Sequence, residues 1–203
     1  MDAKVSNGQA APWNWFKILG IPGDRYAVLE TDDGVVLLDP RAAHERVLYE
    51  QLAQQWQQRG VDAQGLLAPE SVALPPRDAR VIADSLELMA QMGFEVAPFG
   101  GDTFLVEAVP AMLSEMAPKR ILETWVSVLH EQGTAQSESV RGEALLKAAC
   151  REAVGLRQRF AESELEALVN QLGETDMPYT SPSGRPTMML LGYRELDRRF
   201  GRS

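Results

Sequence analysis

Cysteine is nearly missing from this chain of 203 residues. Cys150 stands alone, so an internal disulfide is impossible and a zinc site built on several thiolates is excluded. No apolar run approaches the roughly 20 residues that a membrane span requires, and the opening stretch has no signal-peptide core. The expectation is a globular, cytoplasmic protein with no membrane partner. Positive charge is also short, with 20 Lys and Arg against 29 Asp and Glu for a net charge of -9. Phosphate binding draws mainly on clustered Lys and Arg, so a DNA-related role needs a partner, a local patch or another domain. The chain also lacks a phosphate loop, a nucleotide fingerprint and a nucleophile motif, which leaves an unrelated α+β enzyme without support.

What is present suffices for a core of ordinary size, since 45% of the residues are hydrophobic, in one domain or two small ones. Residues 1–12 mix small and polar types and suit a linker. Residues 26–30 and 35–39 are β-rich and flank Thr31-Asp32-Asp33-Gly34, a hairpin turn, with 15–19 pairing alongside. A helix is expected over 42–59, with Leu48, Leu52 and Trp56 stacked at spacings of four. The apolar stretch 64–74 contains a proline and suits an edge strand or connector. One helix is predicted from Pro76 to about Met92, followed by a second hairpin of 94–98 with 103–109. Helices are expected at about 118–132, 140–154 and 163–172, then a strand at 187–191 and a terminal helix at 193–200. The 187–191 strand is Met-rich and apolar throughout, which fits core or subunit interface. Two hairpin-plus-helix blocks point to an α+β fold in two lobes.

The most informative stretch is Asp39-Pro-Arg-Ala-Ala-His-Glu45-Arg-Val-Leu-Tyr-Glu50, which sets acids at a strand end and along the following helix. Helical geometry places Arg41 and Glu45 on the same face as Leu48, Leu52 and Trp56, so Glu45 shares the inward stripe. A carboxylate buried without a partner costs several kcal/mol, so it calls for a metal or a cation. Arg41, one turn earlier, is the nearest candidate. Glu50 lies around the helix and is expected to be solvated, and His44 falls just off the inward face, at the surface. His130 sits near a helix C-terminus, where a charged imidazole is mildly favoured. Cys150 has the apolar helical context of an inert core thiol.

These residues resemble the metal-binding motif of the C-terminal domain of MutL mismatch-repair proteins, Asp-Gln-His-Ala-x-x-Glu-x-x-x-x-Glu, matched at Asp39, Ala42, Glu45 and Glu50. Three further blocks resemble the family in its order: Ala149-Cys150-Arg151, Ser181-Pro182-Ser183-Gly184-Arg185-Pro186, and Phe200-Gly201-Arg202. The run Gln64, Gly65, Leu66, Leu67, Ala68, Pro69 is similar to the family's short segment for docking on the replication sliding clamp. Nuclease-active members carry Gln and His where this chain has Pro40 and Arg41, and Cys and His where it has Ser181 and Ser183. A neutral serine hydroxyl is a poor substitute for thiolate or imidazole, and a fixed guanidinium repels a dication.

The resemblance implies a discontinuous dimerisation lobe of residues 13–68 and 150–203 and an inserted regulatory lobe of 69–149. It implies a homodimer, with contacts to a mismatch-recognition protein and to DNA made mainly through ATPase domains absent from this chain. The metal pocket, formed by Asp39, Arg41, Glu45, Cys150, Ser181 and Ser183, is expected to be degenerate, with no cofactor and no catalytic residue; Arg41 pairs with Glu45 in this reading, and Asp39 is a second partner open to it. The alternative is a metal-dependent DNA-nicking endonuclease that holds zinc or manganese with Asp39, Glu45, Glu50 and Cys150.

Overall fold

The computed structural model describes residues 13–58, 60–132, 137–156 and 160–202. The expected linker, 1–12, and residues 133–136 lie outside the described residues. The elements run β1 (Phe16–Gly20), β2 (Ala27–Thr31), β3 (Gly34–Leu38), α1 (Pro40–Gln57), β4 (Ala63–Ala73), α2 (Pro76–Ala83), α3 (Leu86–Gln91), β5 (Glu95–Gly100) and β6 (Thr103–Pro110). They continue as α4 (Pro118–Gln132), α5 (Glu138–Leu156), α6 (Glu162–Gly173), β7 (Met188–Gly192) and α7 (Tyr193–Arg199). Seven α-helices and two antiparallel sheets among the described residues make the fold α+β.

Two compact units emerge, one within Met1–Val47 and Val154–Ser203 and the other within Leu48–Ala153. The first division falls well before the expected residue 68. The reason is β4: it pairs antiparallel with β6, so residues 63–73 join the second sheet rather than the first.

In the first unit the strand order is β1-β2-β3-β7. Period-two alternation buries Ala27, Leu29, Val36 and Leu38 on one face. That face packs with Ala43 and Val47 of α1 and with Leu165, Leu168, Val169 and Leu172 of α6. The α6 residues recur at three- and four-residue steps, which puts them on one helical stripe. The opposite sheet face is apolar over β3 and β7 and charged toward β1. Val28, Leu37 and Met189 form one cross-strand row, and the next runs Lys17, Glu30, Val35 and Leu191. These side chains are half-buried, apart from Met189 and Lys17, which are exposed.

The second unit has a three-stranded sheet in the order β4-β6-β5. Its core includes Ile82, Met89, Phe94, Ile121, Leu122, Trp125 and Leu145, with the Phe94 and Trp125 rings edge to face at 5.2 Å. The single helix expected from Pro76 to Met92 is two, because the Ser85 hydroxyl donates to the Val81 carbonyl at 2.9 Å and the Ser85 amide turns tightly onto Ile82. A serine that bonds its own backbone offers an alternative to the helical ladder. Strand β4 is an edge strand whose register jumps between Gly65, opposite Ala108, and Glu70, opposite Val106. Leu66, Leu67, Ala68 and Pro69 therefore bulge out, with Leu67 fully exposed. Proline donates no ladder hydrogen bond and is accommodated at such a bulge.

Gly34 is where the first sheet is least tolerant. A Cβ there would lie 2.3 Å from the Leu191 carbonyl oxygen and 2.7 Å from the Gly192 Cα. Gly34→Ala must push β7 away from β3, and we expect it to cost about 1–3 kcal/mol, read as a lower urea midpoint. An unchanged midpoint would refute the tight β3–β7 approach.

Candidate functional site

Three segments of the first unit meet around Glu45, the end of β3, helix α1 and the 178–187 loop. Asp39 ends the β3 hairpin and caps α1, its Oδ1 accepting from the backbone amides of Arg41 at 2.9 Å and Ala42 at 3.2 Å. That bond satisfies orphan N–H groups at the helix start and suits a carboxylate to the positive end of the helix dipole. The Asp39 amide donates to the Thr187 carbonyl at 2.8 Å, which ties the strand end to the segment entering β7. Arg46, buried on α1, donates from Nε to the Thr180 carbonyl at 2.6 Å. The 178–187 loop is thereby clamped from both sides.

Within that loop the Ser181 amide donates to the Arg185 carbonyl at 2.8 Å and the Gly184 amide to the Ser181 carbonyl at 2.9 Å. Gly184 has a φ of +78°, the left-handed conformation that closes the turn. Buried Ser181 accepts the Arg185 amide on its Oγ at 3.3 Å. The turn delivers two side chains to Glu45. Ser183 Oγ donates to Glu45 Oε1, and the Arg185 guanidinium donates to Glu45 Oε2 at 2.6 Å. Glu45 is fully buried, while the Arg185 side chain is 51% exposed.

The cation of Glu45 is therefore Arg185, and the expected pairing with Arg41 is corrected. Arg41 is exposed at the start of α1. A helical step of four brings two side chains near one another, but the loop supplies a planar donor against a carboxylate already facing it. Sequence reasoning placed Arg185 in a motif without giving it this role, and it missed Arg46. The signal for Arg185 was available: a buried carboxylate demands a cation, and Gly-Arg-Pro sat in the same set of motifs. His44 is half-buried rather than at the surface, with its ring edge to face with Phe160 at 5.7 Å. Glu50 is half-buried on α1, and Cys150 is buried on α5, both within the second unit. His130 pairs with Asp78 at 2.9 Å. Arg151 is exposed.

The donors around Glu45 do not fit a divalent ion. Both carboxylate oxygens are engaged, one by a hydroxyl and one by a permanent cation, and Asp39 is committed to the helix cap. Among the described residues no group of three or more His, Cys, Asp or Glu side chains is placed to hold a metal ion.

Comparison with known proteins bears on this arrangement. The family described as the MutL C terminal dimerisation domain matches residues 19–160. The DNA mismatch repair protein MutL of Opitutus terrae is 38% identical over 186 residues, covering 91% of this chain and 30% of that protein. The proteins of the same name from Methanoculleus marisnigri and Acidiphilium cryptum are 38% and 36% identical, covering 87% and 89% of this chain. This chain spans about 30% of the length of these relatives.

Removing the cation isolates the ion pair's contribution. Arg185→Met leaves Glu45 buried against one hydroxyl, and a charge-assisted hydrogen bond of this kind is worth about 1.5–3 kcal/mol, reduced here because Arg185 is half in solvent. The urea midpoint should fall for Arg185→Met and recover in part when Glu45→Gln is added. A larger fall for Arg41→Met than for Arg185→Met would reverse the assignment.

Proposed function

This chain belongs to the MutL C-terminal dimerisation family, and from that premise we propose that it is the self-associating part of a longer mismatch-repair protein, with a structural ion pair where nuclease-active members hold metal. The observation that carries the reading is the double engagement of the buried Glu45 carboxylate by Ser183 and Arg185. The Arg185 guanidinium stays positive at any physiological pH, so it neutralises Glu45 while opposing entry of a second cation. Loop 178–187 then fixes the strand ends instead of activating water.

Dimerisation has a surface suited to it. The second face of the first sheet carries Val28, Val35, Leu37, Met189 and Leu191. A cavity of about 370 Å³ opens there among Tyr26, Leu37, Met188 and Met189. In an isologous pair the same patch meets itself, so one apolar face serves both partners. A lasting interface raises the effective concentration of whatever domains each copy carries, and their closure on one another becomes intramolecular. On this reading the chain's work is coupling, and contacts to DNA and to a mismatch-recognition protein belong largely to the rest of the longer protein.

The β4 bulge supports a second contact, docking on the replication sliding clamp. Gln64 starts the segment, and the bulge lifts Leu67 clear of the sheet beside Leu66 and Pro69. An extended segment with an exposed apolar anchor is a common form of peptide recognition.

Light scattering with bound-metal analysis tests the main reading. We expect a metal-free dimer after incubation with zinc or manganese, a monomer for Leu37→Glu with Met189→Glu, and no nicking of supercoiled plasmid with manganese. A metal-loaded protein that nicks would establish the endonuclease instead, and a monomeric parent would remove the coupling role. For docking, Leu67→Ala should weaken sliding-clamp affinity at least about tenfold; equal affinity would refute the bulge as the contact.

A further inference from the structure

A cavity of about 1120 Å³ opens in the second unit, between the C-terminal half of α1, helix α3 and the start of α5. That exceeds the roughly 300–1,000 Å³ of a small-molecule pocket. Tyr49 and Trp56, two helical turns apart on α1, form one wall. A Cβ at Gly142 would overlap Trp56 Cη2, so the bare backbone of α5 at this glycine is what admits the indole. Three carboxylates, Glu87, Glu138 and Glu143, also line the hollow, and among the described residues no Lys or Arg does.

The three acids are not equivalent. Glu143 is paired: Lys147 Nζ lies 2.7 Å from its Oε1, and the Tyr49 hydroxyl donates to the same oxygen at 3.3 Å. The hydrogen bond from Lys147 holds the Glu143 carboxyl below its ordinary range. The same ammonium stands 5.9 Å from the centre of the Tyr49 ring, within reach of a cation–π attraction. The chain thus displays how a carboxylate and an aromatic face together hold a cation. Glu87 and Glu138 are exposed and make no ion pair with the described residues. Trp56, half-buried, has no cation among the described residues over its ring. A hollow lined by one sign of charge focuses its field and gathers the opposite sign.

We propose that this cleft binds a basic peptide segment of a partner protein, with Lys or Arg side chains on Glu87 and Glu138 and their apolar stems along Trp56. The volume selects a peptide over a small cation. So do the side-chain amides of Gln57 and Gln91 on the cavity wall, which both donate and accept and therefore match the N–H and C=O groups of an extended main chain. A long basic side chain lays its methylene stem on apolar surface while its head reaches a carboxylate. The carboxylates lie at the surface, so affinity is modest and falls as salt is added. The site stands apart from the Glu45 pocket, from the second face of the first sheet and from the β4 bulge, none of which contributes a residue to it.

The test begins by panning a random heptapeptide library displayed on phage against the immobilised full chain. Fluorescence anisotropy with fluorescein-labelled copies of the selected peptides then measures affinity at about 50 mM NaCl. The selected sequences should carry Lys or Arg beside an aliphatic or aromatic residue, and the unlabelled peptides should quench tryptophan emission in the parent but not in Trp56→Phe. Glu87→Gln combined with Glu138→Gln should weaken binding at least about fivefold. Glu107→Gln with Glu115→Gln, exposed acids outside the cleft, should keep affinity within about twofold. All four replacements conserve shape at exposed positions, so the fold is retained. The proposal is overturned if panning returns no basic peptides, if the Glu87→Gln, Glu138→Gln chain binds them as the parent does, or if the control pair weakens binding as much. It is also overturned if spermidine competes as tightly as the unlabelled peptides, which would assign the cleft to free polyamines.

Discussion

Burying a carboxylate at Glu45 sets a condition that the surrounding chain has to meet. An ionised carboxylate in an apolar interior is tolerated only when its oxygens are paired. Here one oxygen takes the Ser183 hydroxyl and the other the Arg185 guanidinium. For both to arrive, the 178–187 loop must turn at Gly184, and its ends must be held, by Arg46 at Thr180 and by Asp39 at Thr187. Asp39 in turn caps α1, the helix that carries Glu45. The acid, its partner and the two elements presenting them form one closed set of hydrogen bonds, so any one member loses its reason without the others.

Ser181 and Ser183, where the resembled metal-binding pattern has thiolate and imidazole, offer no soft donor. Arg185, which that pattern shares, supplies the positive charge that the buried Glu45 carboxylate needs. The proposed structural role follows from that balance of charge, with no requirement that any single replacement be decisive. Arg41, which stands in a histidine position of the motif, is turned outward and is neutral to the argument.

How much of this could be read in the sequence depended on whether a signal was local. The β2–β3 hairpin was readable because Asp33-Gly34 sits between two apolar runs, and α4 was readable because Pro118 opens a periodic stripe. The α2–α3 break was not, since it turns on one serine hydroxyl choosing the Val81 carbonyl. The membership of β4 in the second sheet was hidden for a similar reason: β4 has a proline and a Leu-Leu pair, and nothing local reveals that its partner is β6, some forty residues on. At the site, Glu45 was identified from helical periodicity, whereas its partner comes from 140 residues away. Periodicity finds which residue is buried; only the tertiary fold finds who meets it.

Charge bears on self-association locally as well as in sum. A net charge of -9 keeps copies of a protein apart through self-repulsion, so a family built on self-association must confine its contact to a surface where charge is scarce. The second face of the first sheet meets that condition across β3 and β7, while Lys17 of β1 and Glu30 of β2 stand opposite one another on the same face. Arg46 and Arg185 are committed instead at the Glu45 pocket. Net charge and local charge are thus separate design variables, and self-association requires only that the second be low where two copies would meet.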